Sequence, residues 1–137
     1  MPVRVGTTNF TARHHGAVMS NDAALETLCL DAGLKSGEHM VPMVWLPEAL
    51  GSAMTSPVAD MVNDDESMGV YSSVGGHFIW SQVADIPGIR WAHLDLGDPV
   101  RDSPFGPNGR CTGFSVGLLA TCARMVLADV SNTAAKL

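Results

Sequence analysis

Residues 113–129 read Gly-Phe-Ser-Val-Gly-Leu-Leu-Ala-Thr-Cys-Ala-Arg-Met-Val-Leu-Ala-Asp. The stretch predicts a helix, and Phe114, Val116, Leu118, Leu119, Cys122, Met125 and Val126 cannot share one stripe of it. A helix apolar on nearly every side is normally buried between layers. The apolar run 114–128 contains Arg124 and is too short to span a bilayer. Upstream lies the clearest strand, Ile89 to Leu96, with Ala92, Leu94 and Leu96 on one face and Trp91, His93 and Asp95 on the other. Between the two runs a loop rich in Pro, Gly and Asp, Gly97 to Gly109.

Further towards the N-terminus the pattern alternates. His15 to Met19 is a short apolar strand that stops at Ser20-Asn21-Asp22, a run of good helix caps. A helix is expected from about Ala23 to Ala32, with Ala24, Leu25, Leu28, Cys29 and Ala32 on one face and Gly33 as its stop. Met40 to Trp45 reads as an edge strand or an extended segment, because Pro42 removes a ladder donor. A short helix follows over about 48–54, and Gly75-Gly76 opens another that runs to about Ala84. Pro87-Gly88 is a turn. The expected class is therefore α/β: an incomplete three-layer α/β/α unit with a partial mixed sheet and a buried C-terminal helix. Residues 1–12 read as a tail or edge strand, 13–129 as the folded unit, and 130–137 as a tail.

Composition narrows the function. The chain has 137 residues, 46% of them apolar, and a formal charge of −6. With two lysines and no basic run it lacks what a nucleic-acid or anionic membrane surface requires. No apolar segment follows a basic N-terminus, so no secretory signal is expected. Cys29, Cys111 and Cys122 are widely spaced and odd in number, which suits reduced thiols in an intracellular, cytoplasmic setting rather than a disulfide frame or a structural zinc site.

Side chains that could carry chemistry have simpler readings. His14 and His15 are adjacent on a strand and point to opposite faces, which disfavours one shared ion. His93 and Asp95 share a face and could form a ligand pair or a hydrogen-bonded pair, but no third ligand stands at a recognisable spacing, so a structural role is expected. Asp64-Asp65-Glu66 lacks the spacing of a calcium loop. Ser72, Ser73, Ser81 and Ser115 sit in no nucleophile elbow, Gly75-Gly76 is followed by no lysine, and Cys111 has no evident base.

Several ordered stretches nevertheless resemble the leucyl aminopeptidase family, two-metal exopeptidases that trim N-terminal residues from peptides. They are His14-His15-Gly-Ala-Val-Met-Ser-Asn21-Asp22; Ser56-Pro-Val-Ala59-Asp60-Met-Val-Asn63; Gly75-Gly76-His-Phe78; Trp91-Ala-His-Leu-Asp-Leu96; and Thr112-Gly113-Phe114. The run around Met54 to Met61 is similar to the branch of the family known as probable aminopeptidases. The resemblance covers about residues 12–127 and implies the C-terminal part of the catalytic domain. It also implies that the ligands for two divalent metals, zinc or manganese, belong to Asp-Ser-Gly-Gly and Asn-Thr-Asp-Ala-Glu-Gly-Arg segments, neither of which occurs in this sequence. No catalytic or metal-binding residue is therefore carried over. By position, Gly97 and Val100 correspond to residues lining the pocket for the substrate's first side chain; Gly97-Asp98-Pro99 departs from the family's usual Ala-Gly.

Two functions follow as expectations: a piece of an aminopeptidase that is inactive alone, or a non-catalytic paralogue that binds within a larger assembly. In either case the chain should need a partner: the remainder of the enzyme, a second copy (the family forms hexamers), or a larger complex. An unpaired strand edge is expected beside His15–Met19 or Trp91–Leu96.

Overall fold

The computed structural model describes residues 15–52, 54–62, 71–96 and 111–134. Strand β1, Gly16–Ser20, is buried at every position. A strand covered on both faces needs a continuous apolar run, which Gly-Ala-Val-Met supplies. Strand β2, Met40–Pro42, pairs with β1 in parallel, and β3, Ala92–Asp95, pairs with it antiparallel, giving the order β2-β1-β3. The mixed sheet is as expected. The position of its open edges is not wholly so: β1 is paired on both sides, and among the described residues the free edges fall to β2 and β3.

Helix α1, Ala23–Ser36, begins where Asp22 accepts a hydrogen bond from the Leu25 amide at 2.8 Å. It passes through Gly33 and stops at Gly37, whose φ of 76° suits glycine. Gly33 is small for another reason: a Cβ there would lie 2.9 Å from the Glu38 carbonyl oxygen, so the glycine lets the returning chain lie against the helix. Helix α4, Val116–Ala134, packs on α1 and runs past the expected end at Asp129. Its start is later than expected because Gly113 and Ser115 both adopt positive φ, at 77° and 81°. The Glu38 carboxylate accepts a hydrogen bond from the Leu118 amide and so caps the helix from across the fold, a contact worth about 1 kcal/mol.

Val18, Cys29, Ala32, Met40, Leu118 and Cys122 form the core between the sheet and this helix pair, with Leu94 and Leu96 packed against it. On the opposite face lie α2, Pro47–Ser52, and α3, Tyr71–Ser81, sharing a smaller core of Leu50, Met54 and Val74. The three layers are thus present.

The expectation of a helix buried all round is corrected. Leu118 and Cys122 line a covered stripe of α4, whereas Val116, Leu119 and Leu127 are 69%, 49% and 66% exposed. With Ala120 and Ala123 these residues form a second apolar stripe on solvent. No described helix is long and apolar enough to cross a membrane.

Helix α3 starts at Tyr71, so Gly75-Gly76 stands inside it rather than opening it. The two glycines differ in what surrounds them. A Cβ on Gly76 would run into Met19 Cε and come within 2.9 Å of His93 Cδ2, while one on Gly75 would meet nothing within 4 Å. Gly76→Ala should therefore destabilise the fold by about 1–3 kcal/mol. Gly75→Ala should stabilise it by about 0.5–1 kcal/mol. Urea melts of the two variants test this; equal effects would show that the approach of α3 to the sheet is not tight.

Candidate functional site

The strand directions bring His15 and Asp95 to one end of the sheet, while His93 stands opposite Met19, nearer the other end. β1 and β2 begin there, and β3, antiparallel, finishes there, with Asp95 opposite Ala17. Close packing fixes this end: a Cβ on Gly16 would lie 2.6 Å from Met40 Sδ and 3.1 Å from the Asp95 carbonyl oxygen. Asp95 is buried and has a partner. Gly97 and Val100, the residues matched to a substrate pocket, lie outside the described residues, as do His14 and Asp64-Asp65-Glu66.

His93 and Asp95 do not form a described ligand set. His93 lies against Trp91, ring centroids 6.1 Å apart and nearly parallel, on the face that α3 covers at Gly76. Burial pushes its pKa down, and the Asp95 carboxylate opposes that shift. Ser73 and Ser115 are buried, and Ser81 donates to the Phe78 carbonyl oxygen at 2.7 Å. Cys111 is exposed. Cys29 and Cys122 are buried between α1 and α4; burial, with Cys122 as neighbour, pushes the Cys29 thiol up to about 12, so it stays protonated and unreactive. Among the described residues no three His, Cys, Asp or Glu side chains converge to hold a metal, so these residues do not fit the two-metal centre that the resemblance implies.

The other end of the sheet holds groupings that spacing did not announce. All three tryptophans meet: Trp45–Trp80, Trp45–Trp91 and Trp80–Trp91 have centroids 5.7, 5.6 and 5.5 Å apart. Each such pair adds about 0.5–1.5 kcal/mol beyond its buried area. His77, buried beside Trp45 with no hydrogen-bond partner for its Nδ1 among the described residues, also has its pKa pushed down by burial. Asn21 donates to the Ile89 carbonyl oxygen and accepts from the Trp91 amide, at 2.9 and 2.8 Å. Arg90 pairs with Asp22 at 2.7 Å and Asp129 at 3.5 Å, tying the start of α1 to the end of α4. The Arg90 hydrogen bond, then that of the Leu25 amide, holds the Asp22 pKa below its usual value.

These shifts set a pH dependence. His77 and His93 are depressed in the fold, while in the unfolded chain they titrate near about 6.5. The unfolded state therefore binds more protons below that pH, and stability, full above it, falls on acidification through the depressed folded values. Asp22, also depressed, loses its contribution only below about pH 4. The denaturation midpoint should thus drop between pH 7.5 and pH 5, and a His77→Gln/His93→Gln variant should flatten that drop. An unchanged slope in the variant would place the effect elsewhere.

A family model described as "Cytosol aminopeptidase family, catalytic domain" matches residues 6–120. The human protein named "Probable aminopeptidase NPEPL1" is 42% identical over 114 residues, covering 80% of this chain and 20% of that protein. "Leucine aminopeptidase 1" of Caenorhabditis elegans is 35% identical over 113 residues, covering 81% of this chain and 22% of its own. Among solved structures, leucyl aminopeptidase from Leishmania major in complex with actinonin superposes with a TM-score of 0.76 at 29% identity, over 89% of this chain and 22% of that one. The Trypanosoma brucei enzyme in complex with bestatin gives 0.76 at 31% identity, over 90% and 23%. The chain spans about a fifth of the length of the curated relatives it matches.

Proposed function

The chain belongs to the cytosol aminopeptidase family, and from that premise we propose that it is the C-terminal portion of the catalytic domain of a leucyl-aminopeptidase-like exopeptidase. The observation that carries this reading is the superposition of 89% of the chain on only 22% of a leucyl aminopeptidase. In this reading the chain contributes one wall of the site, with Gly97 and Val100 against the substrate's first side chain. The remainder of the enzyme contributes the two divalent metals, zinc or manganese, and releases N-terminal residues from peptides only when joined to this part. The free edges of β2 and β3 and the exposed stripe of α4 are the surfaces such a remainder would cover. A cytoplasmic location accords with this reading and with the free, buried thiols of Cys29 and Cys122.

A split-enzyme experiment tests the proposal. The chain is co-expressed with the metal-binding part of a relative's catalytic domain, and leucine release from leucyl amide is measured with Mn²⁺ or Zn²⁺. Metal-dependent release from the purified complex supports it. A stable complex without release favours the second reading, a non-catalytic binding subunit, for which the same exposed stripe of α4 speaks.

A further inference from the structure

We infer that His15 and His39 form a two-imidazole site for one borderline transition-metal ion, Zn²⁺, Ni²⁺ or Cu²⁺, at the end of the sheet where β1 and β2 begin. The site is independent of the aminopeptidase reading and uses neither Gly97 nor Val100.

The sequence separates these histidines by twenty-odd positions, and topology joins them. His15 immediately precedes β1 and His39 immediately precedes β2. The strands are parallel with Gly16 opposite Met40, so the preceding residues, His15 and His39, emerge side by side. A hydrogen bond from the Gly16 amide to the His39 carbonyl oxygen, 3.1 Å, ties the two backbones at this point. The ring centroids are 5.7 Å apart with the planes tilted by 39°. An ion bound at about 2.0–2.1 Å from a ring nitrogen lies roughly 3.2 Å from that ring's centroid. With one nitrogen of each ring turned to a common ion, the observed separation sets an angle of about 125° there, close to tetrahedral, and leaves the remaining positions to solvent.

A second observation points the same way. His15 Nδ1 is buried and has no hydrogen-bond partner among the described residues. A buried polar nitrogen normally has a partner, and Nδ1 is a usual ligand atom of neutral imidazole. His39 is exposed, so its imidazole is open to an ion from solvent. The chain's formal charge of −6 favours a cation over an anion here. Soft thiolates are absent from the pair, which directs selection to metals that accept imidazole rather than to calcium or magnesium.

The test uses the full chain without an affinity tag, titrated by calorimetry with Ni²⁺, Cu²⁺ or Zn²⁺ alone. One ion per chain is expected, with a Cu²⁺ paramagnetic resonance spectrum showing coupling to two nitrogens. His39→Gln, an exposed and fold-neutral change, and His15→Gln should each weaken binding at least about tenfold, while His14→Gln should leave it unchanged. Circular dichroism confirms that each variant is folded. Absence of stoichiometric binding by the folded chain, binding that survives His39→Gln, or loss on His14→Gln would each overturn the assignment.

Discussion

Purified alone, the chain is expected to release no leucine from leucyl amide above the buffer blank, with or without added Mn²⁺ or Zn²⁺. Two-metal hydrolysis needs ions that lower the pKa of a bridging water and polarise the peptide carbonyl. Such ions need several converging carboxylate, amine or imidazole ligands, and among the described residues no three His, Cys, Asp or Glu side chains converge. The resemblance to leucyl aminopeptidases implies metal ligands in two segments that do not occur in this sequence. A metal held by His15 and His39 should not change the outcome, because two imidazoles hold one ion and not the pair that this chemistry uses. Metal-dependent release that co-purifies with the chain and disappears in His15→Gln/His39→Gln would refute both the inactivity and the separation of that site from catalysis.

Leu118→Ala and Leu119→Ala should differ by several kcal/mol although the residues are neighbours. Leu118 is fully buried against Val18, Cys29 and Ala32 at the junction of sheet and helices. Truncating such a leucine removes its transfer free energy and leaves a cavity, about 3–5 kcal/mol together. That is a large part of the ~5–15 kcal/mol that holds a domain folded. Leu119 is 49% exposed, and its truncation should move stability by no more than about 0.5 kcal/mol in the monomer. Denaturant titration reads both. If the exposed stripe is covered in solution, Val116→Lys with Leu127→Lys should leave the melt intact at low concentration and reduce self-association in sedimentation. A chain that sediments as a sharp, concentration-independent monomer before that change would show that the stripe has no self-partner.

Much of the layout was legible because local chemistry agreed with the fold. Ser20-Asn21-Asp22 predicted the start of α1, and Asp22 caps it. Alternation in 91–96 predicted the faces of β3: Ala92, Leu94 and Leu96 pack on the α1–α4 core, and His93 faces Gly76. Errors arose where a glycine served packing instead of ending or starting an element. Gly33 was expected to stop α1 and Gly75-Gly76 to open α3; Gly33 and Gly76 instead sit within helices, where backbone or side chains of other elements approach closely. Glycine signals both uses identically in one dimension.

By itself the sequence determined the α/β class, the central apolar strand, the capped first helix, the last helix with apolar residues on more than one side, and the family resemblance, because each rests on period, caps or an ordered motif within one segment. Only the tertiary structure decided which stripe of α4 is covered, that β1 takes the middle of the sheet, and that Trp45, Trp80 and Trp91, Arg90 with Asp22 and Asp129, and His15 with His39 come together. These contacts join elements far apart in the chain. Their geometry follows from strand order and direction, which loop closure and packing of the whole core select rather than any local pattern of residues.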